Sequence, residues 1–146
     1  MKDVHIAIGS LALLLAGAAT LWGGWCWYRA TPSVWFWRIL RGAQAMIVIE
    51  ALIGCILLII GKKISDLHLL YGALPIAVSF IGEQFRISAA QMILDARQLE
   101  NGEAVGRLPA EQQRAIVIAI IKREIGVMTL TAFVIMALVI RAAMVH

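Results

Sequence analysis

Four long apolar stretches, separated by short polar breaks, make up most of the chain. They cover residues of about 4–28, 34–61, 66–99 and 110–144. A helix that crosses a membrane needs about 20 mainly apolar residues, so each stretch is long enough to span a bilayer. At about 1.5 Å per residue the third and fourth helices would each be roughly 50 Å long, well beyond a hydrocarbon core of about 30 Å. The pattern predicts an all-α, four-helix transmembrane bundle that forms a single membrane domain over residues 1–146.

The breaks between the stretches contain residues that end or start helices. Thr31-Pro32-Ser33 separates the first two helices, and residues 100–109 form a Gly-, Asn- and Pro-rich tip between the last two. Pro109 is suited to the start of the fourth helix. Asp3 and Asp66 are predicted to be the N-caps of the first and third helices.

Composition narrows the class of protein. Of the 146 residues, 62% are hydrophobic and 15% are charged, against about 45–50% and 25% in soluble domains. This excludes an ordinary soluble enzyme, a disordered chain and a secreted disulfide scaffold. The sequence has no phosphate loop, C-x-x-C, G-x-S-x-G or H-E-x-x-H motif, so nothing in it requires an enzyme. Cys26 and Cys55 are predicted to lie at opposite membrane faces without a disulfide.

The basic residues are distributed unequally between the two ends of the predicted helices. One end carries nine of them: Arg29, Arg38, Arg41, Arg86, Arg97, Arg107, Arg114, Lys122 and Arg123. The other end carries Lys2, Lys62, Lys63 and Arg141. The positive-inside rule places the first group in the cytoplasm, so we expect a multi-pass plasma-membrane protein with both termini outside and the long helices extending into the cytoplasm. No basic run suited to nucleic acid is present.

All five tryptophans lie between Trp22 and Trp37, around the predicted turn between the first two helices. Such a group is typical of an aromatic belt at the cytoplasmic headgroup level, a role we favour over a shelf for a quinone or tetrapyrrole. At the same level, Glu83 is expected to join Arg41, Arg86, Arg123 and Glu124 in a structural ion network.

A short motif is repeated at the start of the first and third helices. Residues 3–9 and 66–72 both follow the pattern D-φ-H-φ-φ-φ-G, with φ apolar and Ala or Tyr allowed. The repeat indicates two similar helix hairpins related by an axis along the membrane normal. It places His5 and His68 at the same depth, near the outer face.

Two histidines opposed across a four-helix membrane bundle resemble the bis-histidine haem site of transmembrane b-type cytochromes. The resemblance implies that His5 and His68 are the axial ligands of haem iron, and that Gly9 and Gly72 leave room for a planar cofactor. It further implies that Tyr71 faces a haem propionate and that Lys62 or Lys63 forms an ion pair with a propionate. The expected function is that of a small integral membrane haem b protein, serving electron transfer, haem handling or sensing.

Several alternatives stay open at this point. The histidines are also explained as hydrated residues at helix ends, or as ligands of a non-haem metal together with Asp3 and Asp66. A non-catalytic accessory subunit would use the basic cytoplasmic hairpin as a docking surface. A proton-coupled transporter would use Glu50, which is predicted near the membrane midplane. The small-residue stripe could be a cofactor wall or the face of a homodimer or larger membrane complex: Gly9, Ala12, Ala16 and Gly23.

Overall fold

The computed structural model describes residues 2–145, which form five helices and no strand. Four of the helices are long, and a short one lies in the tip between the last two. Their bounds are α1 Lys2–Arg29, α2 Val34–Ile59, α3 Asp66–Ala96, α4 Gly102–Gly106 and α5 Ala110–Met144. His146 and Met1 lie outside the described residues.

Serine side chains fix the first turns of α2 and α3. Ser33 Oγ accepts a hydrogen bond from the Phe36 N–H at 3.3 Å, and Ser65 Oγ accepts one from the His68 N–H at 3.2 Å. The N-cap of α3 is therefore Ser65, and the prediction of Asp66 as the cap is wrong by one residue. Asp66 lies in the first turn instead, as Asp3 does in α1. A negative charge there still interacts favourably with the helix dipole.

The tip between α3 and α5 is more structured than predicted. Asn101 Oδ1 accepts a hydrogen bond from the Ala104 N–H at 3.0 Å and so caps the short helix α4. The helix α3 stops at Ala96, before the predicted residue 99, because Gln98 adopts a left-handed conformation with φ of 56°. A residue in this conformation commonly ends a helix.

The helix α5 is the centre of the packing. It packs along both α1 and α3, while α2 packs mainly on α1 and less on α3. In the most apolar 18-residue segment of each helix, the buried share is 44% for α5, 17% for α1 and 11% for α2. The two buried clusters combine residues of α1, α2 and α5: Ala19, Cys26, Phe36, Leu40, Ile125, Met128 and Ala132 in one, and Ala12, Ala16, Ala43, Ile47 and Ile135 in the other.

The small-residue stripe of α1 is an internal packing face. Ala12 and Ala16 are buried against α2 and α5. A Cβ on Gly23 would lie 2.5 Å from Phe36 Cε2, so only glycine allows that ring to approach the α1 backbone. The stripe therefore serves contacts within the chain, and it is not an open surface for a second copy.

Three helices are long and apolar enough to cross a membrane: α1 over Asp3–Arg29, α2 over Val34–Ile59, and α5 over Ala110–Met144. Large apolar side chains such as Leu14, Leu21 and Phe133 are exposed on them, which is consistent with a lipid environment. Four spans were predicted, but α3, although long enough, has no segment as apolar as those of the other three long helices and is not among the candidate spans. The reason is the series of polar side chains in its second half: Ser79, Glu83, Gln84, Arg86, Ser88 and Gln91.

Candidate functional site at the histidine end

One end of the molecule, here called the histidine end, contains the start of α1, the end of α2, the start of α3 and the end of α5. His5 from α1 and His68 from α3 meet there. Their ring centroids are 5.9 Å apart and the ring planes are inclined by 57°. Because α1 and α3 each pack mainly on other helices, the two imidazoles approach each other across a diagonal of the helix arrangement.

Hydrogen bonds to α5 and its C-terminal residue orient His68. Its Nδ1 lies 2.9 Å from the Ala142 carbonyl oxygen. A carbonyl only accepts hydrogen bonds, so Nδ1 is the donor in this contact and Nε2 is the ring nitrogen that could bind a metal in the neutral form. The Ser65 hydroxyl, which accepts from the His68 N–H, also donates to the Val145 carbonyl at 2.8 Å. The first turn of α3 is thereby attached to the end of α5.

Glu50 of α2 is the partner of His5. The distance from His5 Nδ1 to Glu50 Oε1 is 3.1 Å, which is within ion-pair range, although the two atoms lack the alignment of a hydrogen bond. Glu50 Oε2 is buried without a hydrogen-bond partner within residues 2–145. The His5 and Glu50 side chains are 20% and 25% exposed.

The contact between Glu50 and His5 was not predicted from the sequence. Glu50 precedes the last residue of α2, Ile59, by nine residues, or about 14 Å along the axis. His5, by contrast, lies near the start of α1. The two side chains meet because α2 extends beyond the start of α1, and such a stagger between helices leaves no mark on hydrophobic periodicity.

The two glycines of the repeated motif have different surroundings. A Cβ on Gly9 would lie 2.7 Å from Glu50 Oε1, so this glycine makes room for the Glu50 carboxylate. A Cβ on Gly72 would meet no atom within 4 Å, so α3 borders open space one turn below His68. Tyr71 carries the Arg141 guanidinium over its ring at 5.7 Å, and Lys62 and Lys63 are exposed in the connection between α2 and α3.

The separation of the two rings is compatible with an axial pair of metal ligands. In both histidines Nδ1 is next to an acceptor, a backbone carbonyl for His68 and a carboxylate for His5, as is usual for metal-binding imidazoles. Two imidazoles bound to one metal through bonds of about 2.0 Å place their ring centroids about 6 Å apart. On the α3 side Gly72 is exposed, so no protein atom blocks the approach of a planar group there. On the α1 side the space is taken by Glu50 and by the packing of Ala12 and Ala16.

The four side chains of the alternative metal site, Asp3, His5, Asp66 and His68, do not form a metal-binding group. In the part of the chain that the structure describes, no three or more His, Cys, Asp or Glu side chains form a group that could hold a metal ion. No family model, curated protein or solved structure matches this chain. The functional assignment of His5, His68 and Glu50 therefore rests on their geometry.

A second polar cluster lies toward the opposite end, here called the hairpin end. Glu83 contacts Arg41 Nη1 at 2.5 Å and Arg86 Nε at 3.0 Å, and Gln44 Nε2 donates to it at 3.3 Å. Arg86 also reaches Glu124 Oε1 at 3.5 Å and lies over the Trp37 ring. The cluster links α2, α3 and α5, as expected of a structural network.

Proposed function

We propose that the protein is a small integral membrane protein that binds haem b between His5 and His68. The single observation that supports it is the approach of two imidazoles from diagonal helices, with ring centroids 5.9 Å apart and with each Nδ1 next to an oxygen acceptor. In this proposal α3 completes a four-helix transmembrane bundle with α1, α2 and α5. The hairpin end faces the cytoplasm, and both termini lie outside.

The roles of the residues follow from their contacts. His5 and His68 would hold the iron through Nε2. The Ala142 carbonyl fixes the ring orientation of His68, and Glu50 lies beside Nδ1 of His5. Gly72 leaves the adjacent α3 surface open, while Tyr71 and Arg141 provide polar groups at the same end. Bound haem b supplies one-electron chemistry, which suits electron transfer, haem handling or sensing.

Haem titration of histidine variants tests the proposal. The wild-type protein should take up haem b and give the visible spectrum of low-spin iron with two imidazole ligands. His5→Ala and His68→Ala should each lose that low-spin spectrum and bind haem at least about tenfold more weakly, because loss of a direct ligand exceeds the 10–100-fold cost of losing a ligand's hydrogen-bond partner.

His146→Ala is the matched control, since it removes the remaining histidine of the chain. Its spectrum should equal that of the wild type. A low-spin spectrum that persists unchanged in both His5→Ala and His68→Ala would contradict the proposed site.

A further inference from the structure

A groove of about 540 Å³ lies toward the hairpin end, between α1, α3 and α5. Its polar part is lined by the side chains of Lys122 and Arg123. Its apolar part is lined by Ile93 of α3 together with Val127 and Leu130 of α5. The groove therefore joins two cations to a strip of aliphatic surface, which is the chemical pattern of an amphiphile with an anionic head.

The two cations are not used by the fold. Lys122 and Arg123 are exposed, and neither makes an ion pair or a side-chain hydrogen bond within residues 2–145. Arg123 was expected to join Arg41 and Arg86 in the network around Glu83, but within residues 2–145 only Arg41 and Arg86 pair with that carboxylate. Both positive charges remain available to an anion.

The depth of the groove suits a lipid headgroup. Lys122 precedes Met144 at the histidine end by 22 residues, or about 33 Å of helix, close to the hydrocarbon thickness of about 30 Å. When the histidine end lies at one interface, Lys122 and Arg123 thus reach the other, and Val127 and Leu130 lie at the depth of acyl chains.

Trp27 forms a fixed wall of the groove. Its indole ring lies against Gly126, where an added Cβ would be 2.7 Å from Trp27 Cε2. Indole rings favour the headgroup level of a membrane because they combine an apolar body with one hydrogen-bond donor. Trp27 is therefore a residue type that favours the headgroup level, which is the level proposed for the two cations.

We propose that this groove is a binding site for an anionic phospholipid. The phosphate contacts Lys122 and Arg123, an acyl chain follows Val127 and Leu130, and Ile93 lies on the headgroup side of the groove. Basic pockets between transmembrane helices on the cytoplasmic side commonly bind anionic lipid headgroups. The site is remote from His5 and His68, so it does not depend on haem binding.

Native mass spectrometry of the detergent-solubilised full chain tests this proposal, with phosphatidylglycerol and phosphatidylcholine as probes. The wild type should retain phosphatidylglycerol in preference to phosphatidylcholine. The double variant Lys122→Gln/Arg123→Gln should bind phosphatidylglycerol about tenfold more weakly, because two charge contacts with the headgroup are lost. The charge-conserving variant Lys122→Arg/Arg123→Lys should bind like the wild type. This result would show that the weaker binding of the double glutamine variant comes from loss of charge and not from misfolding.

Arg97→Gln/Arg114→Gln is the matched control, because it removes two exposed basic residues outside the groove. It should leave phosphatidylglycerol binding within about twofold of the wild type, since its charges do not contact the bound headgroup. Equal losses in the two double variants would overturn the proposal in favour of general surface charge. Equal retention of both lipids, or displacement of phosphatidylglycerol by millimolar inorganic phosphate, would overturn it as well.

Discussion

At the scale of single residues, the acidic side chains near the two ends of the helices have different roles. Glu83 is shared by Arg41 and Arg86, so its charge is balanced within a network that joins three helices. Glu50 has one ion-pair partner within the described residues, His5, and a buried carboxylate oxygen that has no hydrogen-bond partner there. A balanced acid stabilises the fold, whereas an acid with an incomplete set of partners is typical of a functional position in a membrane protein.

Glu83→Gln should destabilise the protein by about 1–3 kcal/mol, because it leaves Arg41 and Arg86 without their shared negative charge. The Glu83 side chain is 22% exposed, so solvent screens this loss only in part. Thermal unfolding in detergent measures the effect.

Glu103→Gln is the control, since Glu103 also pairs with an arginine but is 74% exposed. It should change stability by less than about 0.5 kcal/mol. Similar unfolding temperatures for the two variants would show that the network around Glu83 does not stabilise the fold.

The sequence identified the candidate residues better than it identified their contacts. The repeated motif placed His5 and His68 at one depth, and the structure brings their rings together. The same motif gave Gly9 and Gly72 equal roles, yet Glu50 occupies the space beside Gly9. A local motif specifies which residue types recur along a helix, but the neighbours of each residue depend on how the helices are staggered.

At the scale of the elements, α3 differs most from its prediction. Its start follows from local capping chemistry, which is visible in the sequence around Ser65 and Asp66. The helix ends at Ala96, before the predicted residue 99, and the polar residues after Ser79 leave it without a segment as apolar as those of α1, α2 and α5. The contact of α3 with α5 depends on Gly82, whose absent side chain leaves room for Thr131. No sequence pattern pairs these two residues in advance.

Gly82→Ala should destabilise the protein by about 1–3 kcal/mol, because the new methyl group would overlap the Thr131 side chain and force α3 away from α5. Gly54→Ala is the control, since a Cβ at Gly54 meets no atom within 4 Å. Alanine has the higher helix propensity, so this control should be neutral or stabilising by up to about 1 kcal/mol. Thermal unfolding of both variants gives the comparison, and a tolerated Gly82→Ala would contradict the close contact.

At the scale of the whole molecule, the segregation of charge and the packing around α5 fit a membrane protein. The pattern of apolar stretches predicted the all-helical class, and the composition predicted the lipid environment. The identity of the central helix could not be predicted. Every long helix is rich in apolar residues, and no pattern distinguishes the central helix from the outer ones. The structure gives that position to α5, which is the most buried of the three helices that could span a membrane.

The orientation in the membrane is testable by cysteine labelling in a Cys26→Ala/Cys55→Ala background. Lys63→Cys should react with a membrane-impermeant maleimide added to intact cells, since the histidine end is expected to lie outside. Glu100→Cys at the hairpin end should react only after the cells are opened. Both positions are exposed, so burial does not limit labelling. The reverse pattern would place both termini in the cytoplasm.

The central claim is that His5 and His68 together bind one haem b. The most direct measurement is the reduced-minus-oxidised absorption spectrum of the wild-type protein purified from cells grown with ample haem. We expect a Soret band and sharp α and β bands from low-spin iron with two imidazole ligands. A protein that is colourless under these conditions, and that stays colourless after haem is added, would contradict the claim.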